Sequence, residues 1–91
     1  MLHHFTERNA MPTRRIAEPL AQRIGARIRD LRLQQRKSLE ALETACGVSK
    51  GHLSNIERGT VVMNVDTLWK IAQGLGVGMA ELVSGLDDLS R

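Results

Sequence analysis

Aromatic residues are nearly missing from this 91-residue chain, which has one Phe, one Trp and no Tyr. Sheets draw on aromatic and β-branched side chains, and no stretch alternates apolar and polar residues over the length of a strand. The sequence therefore speaks against a sandwich or barrel and predicts an all-α fold. Cys46 is the single cysteine, which leaves no internal disulfide and no cysteine-built metal site. At the end of an amphipathic helix it reads as a small buried hydrophobe. No apolar run approaches the roughly 20 residues that span a bilayer, and residues 1–19 lack the apolar centre of a secretion signal. The expectation is a cytoplasmic protein without membrane contact. His3 and His4 sit near the N-terminus and His52 stands alone on a helix, so no metal and no cofactor are expected. No Ser/His/Asp arrangement, phosphate loop or paired carboxylates are present, and the chain is not expected to be an enzyme.

What is present fits one small folded unit. Hydrophobic residues make up 42% and charged residues 25% of the chain, a balance that favours a globular body over disorder. Charge is uneven. Residues 1–58 hold eleven Lys/Arg and six Asp/Glu, a balance of +5, whereas residues 59–91 hold two and four, a balance of −2. A basic first part suits phosphate contact and an acidic second part suits protein contact; ordinary solvated helix surface accounts for the same numbers.

The stretch from Ser38 to Gly59, SLEALETACGVSKGHLSNIERG, reads as two short helices around a tight turn at Cys46-Gly47-Val48. Ser38 precedes the apolar positions Leu39 and Leu42, and Ser49 precedes Leu53 and Ile56, so each can cap a helix start. Val48 and Leu53 have the spacing of a hydrophobic staple, and Gly59 stands where a helix end takes a left-handed residue. This is the outline of a DNA-binding helix-turn-helix.

Gly47-Val48-Ser49, Leu53-Ser54, Ile56-Glu57-Arg58-Gly59, Leu68-Trp69-Lys70-Ile71-Ala72 and Leu75-Gly76-Val77 together resemble the Cro and phage-repressor (XRE-like) helix-turn-helix family. The resemblance runs from about Ile24 to Leu82. It implies a compact five-helix domain whose helix from Lys50 to Arg58 enters the major groove. It also implies that Arg32 pairs with Glu57, tying the first helix to the end of the reading helix. Two positions depart from the family. Leu39 stands where a phosphate-touching glutamine is frequent, and Glu43 stands where a small residue is preferred at the close approach of the two helices.

With Leu53 and Ile56 turned inward, Lys50, Gly51, Ser54 and Asn55 share the opposite face near the start of the reading helix, with His52 beside them. Asn55 can bond an adenine edge bidentately, Lys50 can donate to guanine or phosphate, and Ser54 can meet either kind of edge. Gly51 costs roughly 1 kcal/mol of helix propensity, consistent with close backbone approach to DNA. Ser49, at a helix N-terminus that attracts phosphate, completes the expected DNA-binding set together with Ser38 and Arg58. As ordinary helix surface these residues would be solvated and without a role.

The remaining chain divides simply. Residues 1–18 read as a basic arm carrying Arg8, Arg14 and Arg15, either a minor-groove arm or a loose terminus. Residues 19–84 form the domain and 85–91 a tail. The first helix is expected from Pro19 to Gln35, with Leu20, Ile24, Ile28 and Leu31 as its apolar stripe and mostly solvated arginines around it. Asn64 should cap a fourth helix whose stripe is Val65, Leu68, Ile71, Ala72 and Leu75, with Trp69 beside it as core or as an interface anchor. A short fifth helix over Met79 to Val83 follows. In the family this region often forms a two-fold interface, which assigns Met79, Leu82, Val83 and Leu86 to it; closure of the chain's own core is the alternative. The expected function is a homodimeric regulator of transcription that binds a palindromic operator in double-stranded DNA without a separate sensor domain. It resembles the small restriction-modification controllers. A protein-binding adaptor on the same fold, or an antitoxin, with polymerase or a toxin as partner, is the competing expectation.

Overall fold

The computed structural model describes residues 19–86, and every described element is helical. Helix α1 covers residues 19–34. It is followed by α2 (Leu39–Cys46), α3 (Lys50–Arg58), α4 (Val65–Leu75) and α5 (Met79–Val83). The caps explain the boundaries. The Ser38 hydroxyl accepts from the Ala41 N–H, the Ser49 hydroxyl from the His52 N–H and the Asn64 side-chain oxygen Oδ1 from the Thr67 N–H, each freeing a helix start from an unpaired donor. Gly47, Gly59 and Gly76 close α2, α3 and α4 in left-handed conformations. Helix α1 ends one residue short of the expected Gln35. Arg36 takes the left-handed position at φ 57°, and the Lys37 N–H closes back onto the Arg32 carbonyl at 3.1 Å. Nothing in the local sequence announces a helix end built on arginine. The expected arm at residues 1–18 and the end of the tail lie outside the described residues.

Ile28, Leu42, Leu53, Ile56, Ile71 and Leu82 are fully buried, and Val48, Ala72 and Leu75 complete the core. Helix α2 packs on α3 and most extensively on α4, so the helix-turn-helix rests on α4 as a platform. Cys46 is half-buried against this core. Two expected stripe residues lie outside it. Val65, in the first turn of α4, is 73% exposed, and Leu20, in the first turn of α1, is 40% exposed. In both cases the apolar periodicity runs on to the helix start while no element among the described residues covers that first turn. Leu20 instead lines an open apolar hollow of about 120 Å³ with Ala21, Ile24, Val62 and Met63. Trp69 is 49% exposed, which removes it from the core. Leu82 and Leu86, assigned by resemblance to an interface, are buried in the chain itself. They present no surface to a partner because they seal the open end of the core.

Polar clamps hold the helices in place. The Arg27 guanidinium donates to the Glu81 carbonyl at 2.8 Å and to the Ser84 hydroxyl at 3.2 Å, joining α1 to the end of α5. Lys37 donates to the Gly74 carbonyl at 3.0 Å and Gln35 to the Leu75 carbonyl at 2.8 Å, satisfying acceptors at the end of α4. Apart from Arg32, the α1 arginines are expected to be mostly solvated. Arg27 departs from that because the helix end it meets is 54 residues away along the chain.

Candidate nucleic-acid interface

The reading helix is positioned from behind by a buried ion pair. Arg32 donates through Nε to Glu57 Oε2 at 2.7 Å and through a terminal nitrogen to Oε1 at 2.9 Å. Its other terminal nitrogen donates to the Lys37 carbonyl at 2.9 Å. One guanidinium thus joins α1, the α1/α2 loop and α3. Both residues are buried, and the two-pronged geometry suits the planar fork of arginine. The hydrogen bonds to Glu57 raise the Arg32 pKa above its ordinary value against the opposing pull of burial, and the carboxylate's charge adds to the rise.

Backbone contact fixes the same helix. At Gly25 of α1, a Cβ would lie 2.1 Å from the Ile56 carbonyl oxygen and 3.0 Å from that of Glu57. A Cβ at Gly59 would lie 2.7 Å from the Gln22 Cα. Helix α1 therefore crosses the end of α3 at backbone distance. Gly74 serves α2 and α4 in the same way, with a Cβ there 2.7 Å from the Cys46 Cβ. The sequence reading missed Gly25 and Gly74; a glycine inside each otherwise good helix pattern was the available signal.

On the outer side, Gly51 and Arg58 are exposed and His52, Ser54 and Asn55 half-buried. No atom lies within 4 Å of a Cβ built at Gly51, so the helix start offers bare backbone. Arg58 donates to Asn55 Oδ1 at 2.5 Å, which holds the amide in place while a second lone pair on Oδ1 and both Nδ2 hydrogens remain for a base edge. The Asn55 carbonyl accepts from the Thr60 hydroxyl and N–H, both at 3.1 Å, anchoring the following loop. Lys50 is held as well. Its ammonium donates to Glu40 Oε2 across the α2/α3 junction at 2.7 Å, with both side chains more than half exposed. Each group shifts the other, the Glu40 carboxyl down and the Lys50 ammonium up, mainly through this hydrogen bond. Ser38 and Ser49 stand exposed at the helix starts they cap. Glu43 is half-buried, and α2 and α3 remain in contact around it. Of the residues assigned to an interface between copies, Val83 is 39% exposed and Met79 half-buried, while Leu82 and Leu86 are covered.

Among the described residues no group of three or more His, Cys, Asp or Glu could hold a metal ion, and no helix is long and apolar enough to cross a membrane.

Comparison with known proteins agrees with this geometry. The chain is 43% identical over 67 residues to the HTH-type transcriptional regulator SutR of Escherichia coli (strain K12), a match that covers 74% of this chain and 38% of SutR, well under half of that longer protein. It is 35% identical over 60 residues to the control protein C.BamHI of Bacillus amyloliquefaciens, covering 65% of this chain and 74% of that one. Among solved structures, the restriction-modification controller protein C.AhdI of Aeromonas hydrophila superposes with a TM-score of 0.66 at 27% identity, over 68% of this chain and 94% of its own. The helix-turn-helix family model HTH_3 matches residues 28–82, from the buried Ile28 of α1 to the buried Leu82 of α5. The chain belongs to this helix-turn-helix family, and the relatives named here are regulators and controllers.

Proposed function

We propose that the chain is a sequence-reading, DNA-binding regulator of transcription that acts as a homodimer on a palindromic operator. The observation that carries this reading is the way α3 is held. Arg32 and Glu57 fix it from behind, and Gly25 sets its distance from α1. Among the described residues no element covers the face bearing Lys50, Gly51, Ser54 and Asn55. Rigid backing with an accessible polar front is what major-groove reading requires. Phosphate contacts from Ser38, Ser49 and Arg58 would supply much of the affinity, and base contacts from Asn55, Lys50 and Ser54, with His52 at the rim, the choice of site. Occupancy of the operator would act by blocking polymerase.

Asn55→Ala tests the reading role. It should weaken binding to the true operator by about 1 to 3 kcal/mol and leave binding to random duplex nearly unchanged. Equal loss on both would show that Asn55 holds backbone and reads nothing.

The homodimer would place the two α3 helices roughly 34 Å apart, one turn of DNA. Because Leu82 and Leu86 are buried, the face between copies would be built on exposed apolar residues: Val83 with Met79, and Val65 with Trp69 one turn apart on α4. A half-exposed tryptophan is the strongest anchor among them. Trp69→Lys should shift sedimentation equilibrium toward the monomer and weaken operator binding; an unchanged dimer would place the contact elsewhere. The same exposed Trp69, Val65 and Val62 are what favour the second reading, an adaptor or antitoxin that docks to polymerase or a toxin. That reading expects no preferred DNA sequence at all.

A further inference from the structure

The Lys50 ammonium, the foremost cation of α3, is not offered freely to DNA. Glu40, the second residue of α2, holds it at 2.7 Å, and both side chains are exposed at the front of the helix-turn-helix. In water such a pair adds little to stability. Next to a polyanion it has a larger consequence. A phosphate that takes Lys50 either displaces Glu40 or sits with its negative charge against the Glu40 carboxylate, so the pair opposes contact with backbone alone. A guanine edge makes no such demand. The ammonium has three donors; one can stay on Glu40 while the others reach O6 and N7, acceptors that carry no formal charge.

We infer that Glu40 is a specificity-determining residue, which withholds Lys50 from phosphates and leaves it competent for a base edge. The inference rests on the DNA-reading function proposed above and adds to it a filter against loose binding. Its signature is a coupling between two residues rather than the effect of either alone.

A double-mutant cycle on the full chain tests it. The unmodified protein, Glu40→Gln, Lys50→Gln and the double variant are titrated against the selected operator and a random-sequence duplex over a series of salt concentrations. Glu40→Gln should tighten random-duplex binding roughly three- to tenfold at low salt and steepen the slope of log affinity against log salt by about 0.9 per subunit, one extra counterion released. Operator affinity should gain less, so the ratio of operator to random binding falls. In the Lys50→Gln background the Glu40→Gln change should have little effect on either duplex. Both side chains are exposed, so thermal melting should remain close to that of the unmodified chain. An unchanged slope for Glu40→Gln would overturn the inference. So would equal tightening with and without Lys50, since that is removal of a negative charge and nothing more. Failure of the DNA-reading function itself is a separate result, in which the unmodified chain selects no operator, and it would overturn both.

Discussion

Glu57→Gln is expected to destabilise the domain by about 3 kcal/mol, the cost of leaving one member of a buried ion pair without its counterion. For a domain of this size that lowers the melting temperature by on the order of 15 °C. Glutamine keeps the shape of glutamate, so little packing is lost. What changes is that the buried Arg32 guanidinium faces a neutral amide with one acceptor in place of a carboxylate with two. The bond from Arg32 to the Lys37 carbonyl survives and cannot compensate for the charge. The double variant Arg32→Met with Glu57→Leu should recover most of the loss, because an apolar pair carries no desolvation penalty. It should nonetheless bind operator less well, since the tie from α1 to α3 is gone. Melting curves by far-UV circular dichroism at one protein concentration would measure this. A melting temperature that does not move with Glu57→Gln would mean that the pair acts as screened surface charge.

Gly25→Ala is expected to cost about 3 kcal/mol, at the upper end of overpacking penalties, even though alanine alone favours a helix by roughly 1 kcal/mol. The new Cβ would stand 2.1 Å from the Ile56 carbonyl oxygen. That atom belongs to the backbone of α3 and cannot rotate away, so α1 must retreat and the Arg32/Glu57 geometry stretches with it. Gly51→Ala provides the contrast. With no atom within 4 Å of the added Cβ, it should gain up to about 1 kcal/mol of stability while weakening DNA binding if the groove meets the bare backbone there. Urea midpoints for the two variants should therefore move in opposite directions. A gain in stability from Gly25→Ala would contradict the close crossing of α1 and α3.

Much of the local structure could be read directly. Ser38, Ser49 and Asn64 mark helix starts, and Gly47, Gly59 and Gly76 mark helix ends, because capping depends on a few adjacent residues. What joins the helices was less legible. The Arg27 bond to the end of α5 spans 54 residues and the Lys37 bond to Gly74 spans 37, so neither leaves a trace in periodicity. Arg32 and Glu57 were singled out by family resemblance alone, since arginines on an amphipathic helix look alike in sequence. Apolar periodicity also says nothing about where a covering element stops. That is why Val65 and Leu20 read as core and lie exposed, whereas Leu82 and Leu86, assigned to an interface by family resemblance, lie buried. For the candidate DNA-facing surface, the sequence located α3 and its outward residues. The hold of Glu40 on Lys50 became visible only when the α2/α3 turn brought residues ten apart within hydrogen-bond distance.

The most direct test of the account is selection from a randomised duplex pool, with the retained sequences read out and the titration repeated at two salt concentrations. A palindromic site with half-site centres about one helical turn apart, bound with an affinity that falls as salt rises, is the predicted result. Weak binding with no shared sequence among the retained duplexes would contradict it and make the exposed Trp69 face, not α3, the place to look for a partner.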